Sequence, residues 1–148
     1  FLTKEISVNK PTSGSENSAG RMFTRATLSK SERLTKEQLI ASLFEAGQSF
    51  LSPPFVVHYK ITSLPDRVPA QFLASVSKRK FAKATDRNTL KRRMKEAYRL
   101  NKTSLYTHLL NQNKQLAVAL IYNEKKITSF NDIESKIKVA LSELISRI

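Results

Sequence analysis

The stretch that decides the fold of this chain is SVSKRKFAKATDRNTLKRRMKEAYRLNK, residues 75–102. It holds eleven lysines and arginines against Asp86 and Glu96, a net charge of +9 in a chain whose total is +14. From Arg87 onward, apolar residues recur at the spacing of one helix face. They are Leu90, Met94, Ala97 and Tyr98. We therefore predict an amphipathic helix with Thr85 or Asp86 as its N-cap.

Donor side chains occupy an arc of this predicted helix that runs away from the apolar stripe. They are Arg87, Asn88, Lys91, Arg92, Lys95 and Arg99. One interpretation is an ordinary solvated surface, but such surfaces usually mix charges of both signs. So many like charges on a few turns repel one another, and a polyanionic partner would relieve that repulsion. Because guanidinium groups bind phosphates and Asn88 can meet a base edge or a 2′-hydroxyl, we predict nucleic-acid binding.

The composition limits the possible classes of protein. A chain of 148 residues that is 40% hydrophobic suffices for one domain with a real core. Its positive charge implies an anionic partner, either nucleic acid or an acidic membrane surface. No apolar stretch is long enough to cross a bilayer, and the lack of cysteine excludes disulfides, thiolate metal sites and cysteine catalysis. We expect a soluble, cytoplasmic protein.

The first 27 residues predict a disordered extension, because PTSGSENSAG cannot bury enough apolar area to order itself. Met22 could be the true start, with the earlier residues an added extension. The alternative is a natural tail. Residues 28–148 are predicted to form a single domain.

The rest of the chain predicts a small α+β domain with helices packed on a sheet. Before the basic helix we expect a helix at 36–46, with a capping box of Thr35 and Gln38, and strands at 55–61 and 71–76. After it, residues 103–111 prolong the helix or form another. A buried strand at 115–122 and an amphipathic helix capped by Ser129 or Asn131 close the chain. The strand order cannot be deduced from these patterns.

Protein-borne catalysis is not indicated by any pattern. His58 and His108 lack metal-ligand spacing to acidic residues, and each is best explained as a surface or half-buried histidine. There is no nucleophile motif, no phosphate-binding glycine loop and no convincing acid pair. We predict no catalytic and no metal-binding residues, so any chemistry would belong to something the protein holds.

The residues from Ser75 to Arg99 resemble the signature of the bacterial ribonuclease P protein subunit family. In that family a V-S-K-[KR] strand end precedes a helix of the form R-N-x-x-K-R-x-x-[RK]-E-[AS]-[FY]. The similarity extends over residues 28–148 and includes the opening SERLTKEQLIASLFEAGQSF. Membership implies an α/β sandwich of about four strands and three main helices, with a left-handed βαβ crossover.

The resemblance also implies a function. The partners would be a large catalytic RNA and precursor tRNA, whose 5′ leader the complex removes by Mg²⁺-dependent hydrolysis. The Mg²⁺ would be held mainly by the RNA subunit. The protein would thus be the subunit of an endoribonuclease, with no organic cofactor and no membrane partner.

The family's functional residues map onto this chain by position. Those implied to contact the RNA subunit are Ser77, Lys78, Arg79, Arg87, Asn88, Lys91, Arg92 and Lys95. Those implied to contact the leader, in a cleft between the first helix and strand 55–61, are Ile40, Phe44, His58 and Lys60. Phe44 fits an ordinary core position equally well.

Two positions depart from the family's pattern. Thr89 stands where many relatives have arginine, and Arg93 could compensate for it from another face. Ile40 replaces a common aromatic residue and offers no ring on which a base could stack.

Two other functions fit parts of the sequence. A structural or ribosomal-type RNA-binding protein would share the charge but lack a leader cleft. A DNA-binding basic helix is also conceivable, but the apolar stripe from Leu90 to Tyr98 would then have to be exposed.

Overall fold

A four-stranded mixed sheet organises residues 28–148, which are the residues that the computed structural model describes. The strands are β1 (Gln48–Ser52), β2 (Phe55–Ile61), β3 (Ala70–Val76) and β4 (Leu116–Tyr122). Their order across the sheet is β1-β2-β4-β3, with β1, β2 and β4 antiparallel and β3 parallel to β4. The disordered extension predicted for residues 1–27, including Met22, lies outside the described residues.

Four helices cover the sheet unequally. They are α1 (Glu37–Ala46), α2 (Ala84–Asn101), α3 (Thr103–Asn111) and α4 (Phe130–Arg147). We call the sheet side under α2, α3 and α4 the main core face. Its buried side chains form rows across neighbouring strands, such as Tyr59, Val118 and Phe72 on β2, β4 and β3. We call the opposite side the α1 face, where Leu43 packs on Ala117 and Ala119. Helix α1 is alone on that face among the described helices and covers only part of it.

The order of elements confirms the predicted α+β class, and several details correct the sequence-based expectations. Strand β1 was missed because it is only five residues long and three of its five residues are exposed. The strands predicted at 71–76 and 115–122 are confirmed with shifts of one residue. Helix α3 is a separate helix. The left-handed sense of the β3-α2-α3-β4 crossover stays a prediction.

Two of the predicted helix caps are wrong. Helix α1 begins after Lys36, which makes no side-chain cap, so the capping box of Thr35 and Gln38 does not form. Helix α2 begins after Lys83, ahead of the predicted Thr85 or Asp86. Ser129 is confirmed as a cap, because its Oγ accepts a hydrogen bond of 3.2 Å from the backbone N–H of Asp132.

A buried ion pair joins the segment before α1 to the junction between α2 and α3. The carboxylate of Glu32 accepts hydrogen bonds from the ammonium of Lys102 and, at 2.7 Å, from the hydroxyl of Tyr106. Its other oxygen accepts bonds of 2.9 and 2.8 Å from the N–H and Oγ of Ser29. Lys102 is only 1% exposed, so it does not belong to the basic surface. Burial lowers the pKa of Lys102, and the hydrogen bond and charge of Glu32 oppose that effect.

This pair generates a stability prediction. Lys102→Met leaves the buried Glu32 carboxylate without its cation, so the free energy of unfolding should fall by about 3–5 kcal/mol. The double variant Lys102→Met with Glu32→Gln should lose less, because no uncompensated charge remains. Urea denaturation would measure both variants, with Lys136→Ala on the exposed surface of α4 as control. A Lys102→Met protein as stable as the parent would contradict this role.

Candidate nucleic-acid interface

Helix α2 separates its apolar and cationic residues onto opposite sides. The four residues of the predicted stripe are each 0% exposed, and they face β3 and α4. The ring of Tyr98 stacks on that of Phe72 with the centroids 3.9 Å apart and the planes within 7°. Because this side is fixed against the sheet, the opposite side of α2 must face outward.

The outward side of α2 borders an open groove of about 540 Å³. Its lining residues are Leu28, Arg33, Asn88, Lys91, Arg92, Lys95, Glu96 and Arg99. Four of the eight residues predicted to contact the RNA subunit therefore lie together, namely Asn88, Lys91, Arg92 and Lys95. Five cationic side chains share the groove with a single carboxylate. We call this surface the α2 groove.

The charges within the α2 groove are largely uncompensated. Glu96 binds the guanidinium of Arg99 through contacts of 3.0 and 2.5 Å, and this hydrogen bond lowers the pKa of Glu96. Lys91, Arg92 and Lys95 form no ion pair with any carboxylate in residues 28–148. Arg33 also has no ion pair within these residues, so the groove offers four unneutralised cations and one neutral amide, Asn88.

Arg87 differs from the other predicted RNA contacts. Its Nη1 donates to the carbonyls of Phe81 and Ala82, at 2.8 and 2.9 Å, and so holds the loop before α2. Arg87 lies three, seven and eleven residues before Leu90, Met94 and Tyr98, so it continues the packed stripe instead of the outward side. The position of Arg87 on the packed side could have been predicted from its helical spacing to these apolar residues. Any contact of Arg87 with RNA would be additional to this structural role.

The residues Ser77, Lys78 and Arg79 lie in the turn between β3 and α2. The backbone N–H of Arg79 donates to Ser77 Oγ at 3.1 Å, and that of Phe81 donates to the Ser77 carbonyl at 3.1 Å. Lys78 and Arg79 are exposed, and none of the three lines the α2 groove. They form a separate basic turn at the N-terminal end of the helix.

The residues predicted to receive the leader meet at the junction of α1 and β2. The rings of Phe44 and His58 are in edge contact with centroids 4.7 Å apart, and Lys60 donates to Ser42 Oγ of α1. Ile40 is half-buried against the small cluster beneath α1. Phe44 is 40% exposed, so it is not an ordinary core residue. Burial lowers the pKa of His58.

Beyond His58, the α1 face has a row of apolar side chains that no described helix covers. Leu51, Val56 and Ile121 are paired across β1, β2 and β4, and Leu51 is 65% exposed. This row was missed as part of the site. Alternation along strand 55–61 is enough to place Val56 on the face of His58, but Leu51 could not be placed because β1 was not predicted.

Arg33 and Arg93 also depart from expectation. Arg33 was not predicted, yet it lines the α2 groove because a β-bridge to Phe72 brings its backbone beside β3. Arg93 donates to the carbonyl of Thr128 at 2.6 Å and is absent from the groove lining. Arg93 therefore lies outside the α2 groove, and its compensation for Thr89, whose hydroxyl bonds to the Thr85 carbonyl, stays a prediction.

Residues 28–148 show neither a candidate metal site nor a candidate membrane span. That range contains no group of three or more histidine or acidic side chains able to hold a metal ion. His108 lies on α3, away from His58 on β2. No helix in the same range is both long and apolar enough to cross a membrane.

Comparisons with known proteins point to one family. The family model described as Ribonuclease P matches residues 28–144. The ribonuclease P protein component of Chlorobium phaeobacteroides is 37% identical over 133 residues, covering 80% of this chain and 91% of the relative. That of Porphyromonas gingivalis is 33% identical over 126 residues, covering 82% and 88%.

Solved structures show the same fold. The RNase P protein of Staphylococcus aureus superposes with a TM-score of 0.63 at 21% identity, covering 78% of this chain and 96% of that protein. The RNase P protein of Thermotoga maritima gives a TM-score of 0.55 at 23% identity, covering 79% and 97%. With the family match over residues 28–144, this chain belongs to the ribonuclease P protein family.

Proposed function

We propose that this protein component of ribonuclease P binds RNA through two separate surfaces. The α2 groove contacts the catalytic RNA subunit, and the basic turn at Ser77, Lys78 and Arg79 extends that contact. The uncovered part of the α1 face receives the single-stranded 5′ leader of precursor tRNA. The observation on which this division rests is that α2 presents unpaired cations, whereas the α1 face presents apolar and aromatic groups.

The α2 groove suits a folded RNA because its donors are numerous and held on a rigid element. Lys91, Arg92 and Lys95 lie on one side of a helix whose other side is fully buried, so their backbone does not need to be ordered on binding. Cations that approach RNA phosphates release condensed counterions, which favours association. Their charge also screens the repulsion between phosphates of two RNA molecules brought together.

The α1 face suits a single strand because it combines apolar surface with polar groups. Bases of an unpaired strand can pack against Phe44, His58, Val56 and Ile121, while Lys60 can meet a phosphate. Ile40 adds apolar contact without a ring. This face distinguishes the proposal from a purely structural RNA-binding protein, which would have no need of an uncovered apolar row.

Catalysis is assigned to the RNA subunit in this proposal. The described residues include no ligand cluster for Mg²⁺, so we expect the ion to be held mainly by RNA phosphates. The protein would then act by binding and positioning, in the cytoplasm, without contributing a catalytic residue. The DNA-binding alternative is not favoured, because the stripe it would expose is buried against β3 and α4.

The function is tested by 5′ maturation of precursor tRNA at low Mg²⁺. Three reactions contain the protein alone, the catalytic RNA alone and both together. We expect efficient cleavage only with both components. Cleavage by the protein alone would contradict the assignment of catalysis to the RNA, and no gain over RNA alone would contradict a role for the protein.

Substitutions in the α2 groove generate a prediction about salt dependence. Arg92→Ala or Lys95→Ala should weaken binding to the RNA subunit and reduce the slope of log affinity against log salt by up to about 0.7–0.9 per lost phosphate contact. Filter binding across a salt series would measure the slope, with Lys136→Ala on α4 as the matched control. Slopes that stay at the parent value in both groove variants would show that these side chains do not touch phosphate.

The α1 face generates a prediction about how precursor tRNA and mature tRNA differ in binding. His58→Ala removes the ring that contacts Phe44 and should weaken binding of precursor tRNA by the complete ribonucleoprotein, because a base loses a stacking partner worth about 1–3 kcal/mol. Mature tRNA, which has no leader, should bind as before. Equal losses for the two tRNAs would place His58 outside the leader contact.

A further inference from the structure

A second open cavity, of about 470 Å³, adjoins the α2 groove. It is lined by the segment before α1, by the loop between β2 and β3, and by Gln71 of β3. Arg33 lines both this cavity and the α2 groove, so the two openings are continuous at that side chain. We call the second opening the pre-α1 cavity.

The segment before α1 is held firmly against the rest of the domain. The Nε2 of Gln71 donates to the Ser31 carbonyl at 2.9 Å, and the N–H of Leu34 donates to the Phe72 carbonyl at 3.0 Å. Between these two contacts lies Glu32, whose carboxylate forms the buried pair with Lys102. The backbone beside the cavity is therefore fixed both to β3 and to the junction of α2 and α3.

These inward contacts set the direction of the cationic side chains. Glu32 and Leu34 are only 6% and 2% exposed, and Arg33 between them has an extended backbone with φ −95° and ψ 129°. Successive side chains of an extended chain point to opposite sides, so burying both neighbours forces Arg33 outward. Lys30 and Lys36, before and after this stretch, are also exposed and line the pre-α1 cavity.

The pre-α1 cavity carries an excess of positive charge. Lys30, Arg33 and Lys36 share it with one carboxylate, Asp66, which accepts a hydrogen bond of 3.2 Å from Gln71 Nε2. None of the three cations forms an ion pair within residues 28–148. Unpaired cations on a fixed backbone fit a polyanion, and an RNA that occupies the α2 groove reaches this cavity across Arg33.

We propose that Lys30 and Lys36, with Arg33, bind phosphates of the catalytic RNA subunit where that RNA extends beyond the α2 groove. The proposal rests on the assignment of the α2 groove to this RNA, and it extends the contact to a segment outside the helix. Because phosphates are common to all nucleotides, the contact adds affinity without reading base identity.

The test removes the two lysines that line the pre-α1 cavity but not the α2 groove. The double variant Lys30→Ala with Lys36→Ala should bind the catalytic RNA subunit roughly five-fold more weakly than the parent. The slope of log affinity against log salt should fall by up to about 0.7–0.9 per lost phosphate contact. Filter binding across a salt series measures both quantities. The double variant Lys136→Ala with Lys138→Ala, which removes two exposed lysines of α4, is the matched control.

Every result of this comparison decides the proposal. Weaker binding of the RNA subunit with a smaller salt slope, beside an unchanged control, supports it. Parent-like binding of the RNA subunit overturns it. If precursor tRNA then binds the assembled ribonucleoprotein more weakly, the cavity faces the substrate instead. A loss of equal size in the α4 control also overturns it, because the effect would then follow from total charge alone.

The variant Arg92→Ala, measured in parallel, separates this extension from the proposed function. If Arg92→Ala weakens binding and the double lysine variant does not, only the extension fails. If Arg92→Ala leaves binding at the parent value, the assignment of the α2 groove fails, and the extension that rests on it fails too.

Discussion

The packing of one side of α2 against the sheet is the constraint on which the rest of the structure depends. Tyr98 stacks on Phe72 of β3, and Leu90 and Met94 are fully buried beside α4. Burying these side chains contributes about 1.5–3 kcal/mol each for the aliphatic residues, more than the self-repulsion of a few exposed lysines can offset. The helix therefore holds its cations outward in one arrangement, and the binding surface exists before the partner arrives.

The sheet divides the two proposed tasks between its two sides. Helices α2, α3 and α4 cover most of the main core face, whereas the α1 face keeps a row of uncovered apolar side chains. The short helix α1 covers the end near Lys60 and leaves the end near Ile121 free. In the proposed function, the catalytic RNA and the substrate leader would therefore contact different groups and would not compete.

Much of the architecture follows from periodicity in the sequence. Burial along α2 and along strand 55–61 follows the helical and strand periods. The strand at 115–122 was predicted for a different reason, its nearly continuous apolar run, and β4 is indeed buried on both of its sides. Strand β1 could not be found from periodicity, because it has only five residues and three of them are exposed, which does not produce a distinct period. Arg33 was missed for a different reason. Its place in the α2 groove depends on the bridge to Phe72, a contact between residues distant in sequence.

Predictions of the candidate site residues also succeeded within one helix and failed for contacts between distant segments. Asn88, Lys91, Arg92 and Lys95 share a groove because helix geometry alone sets their directions. Lys102 looked equivalent by charge, but the buried Glu32, seventy residues away, holds it inside the protein. Nothing local to Lys102 indicates that partner. Charge and spacing thus predicted which side chains of α2 lie together, with the exception of Arg87, but could not predict contacts between distant segments.

The account is tested most directly by locating the RNA subunit on the protein surface. The chain contains no cysteine, so a single introduced thiol carries a photo-crosslinker at one known position. Glu96→Cys places it in the α2 groove, and Val139→Cys places it on the exposed side of α4, where the native side chain is 59% exposed. In the assembled ribonucleoprotein, Glu96→Cys should crosslink to the catalytic RNA and Val139→Cys should not. Crosslinks from Val139→Cys alone would contradict the assignment of α2 as the RNA-binding helix.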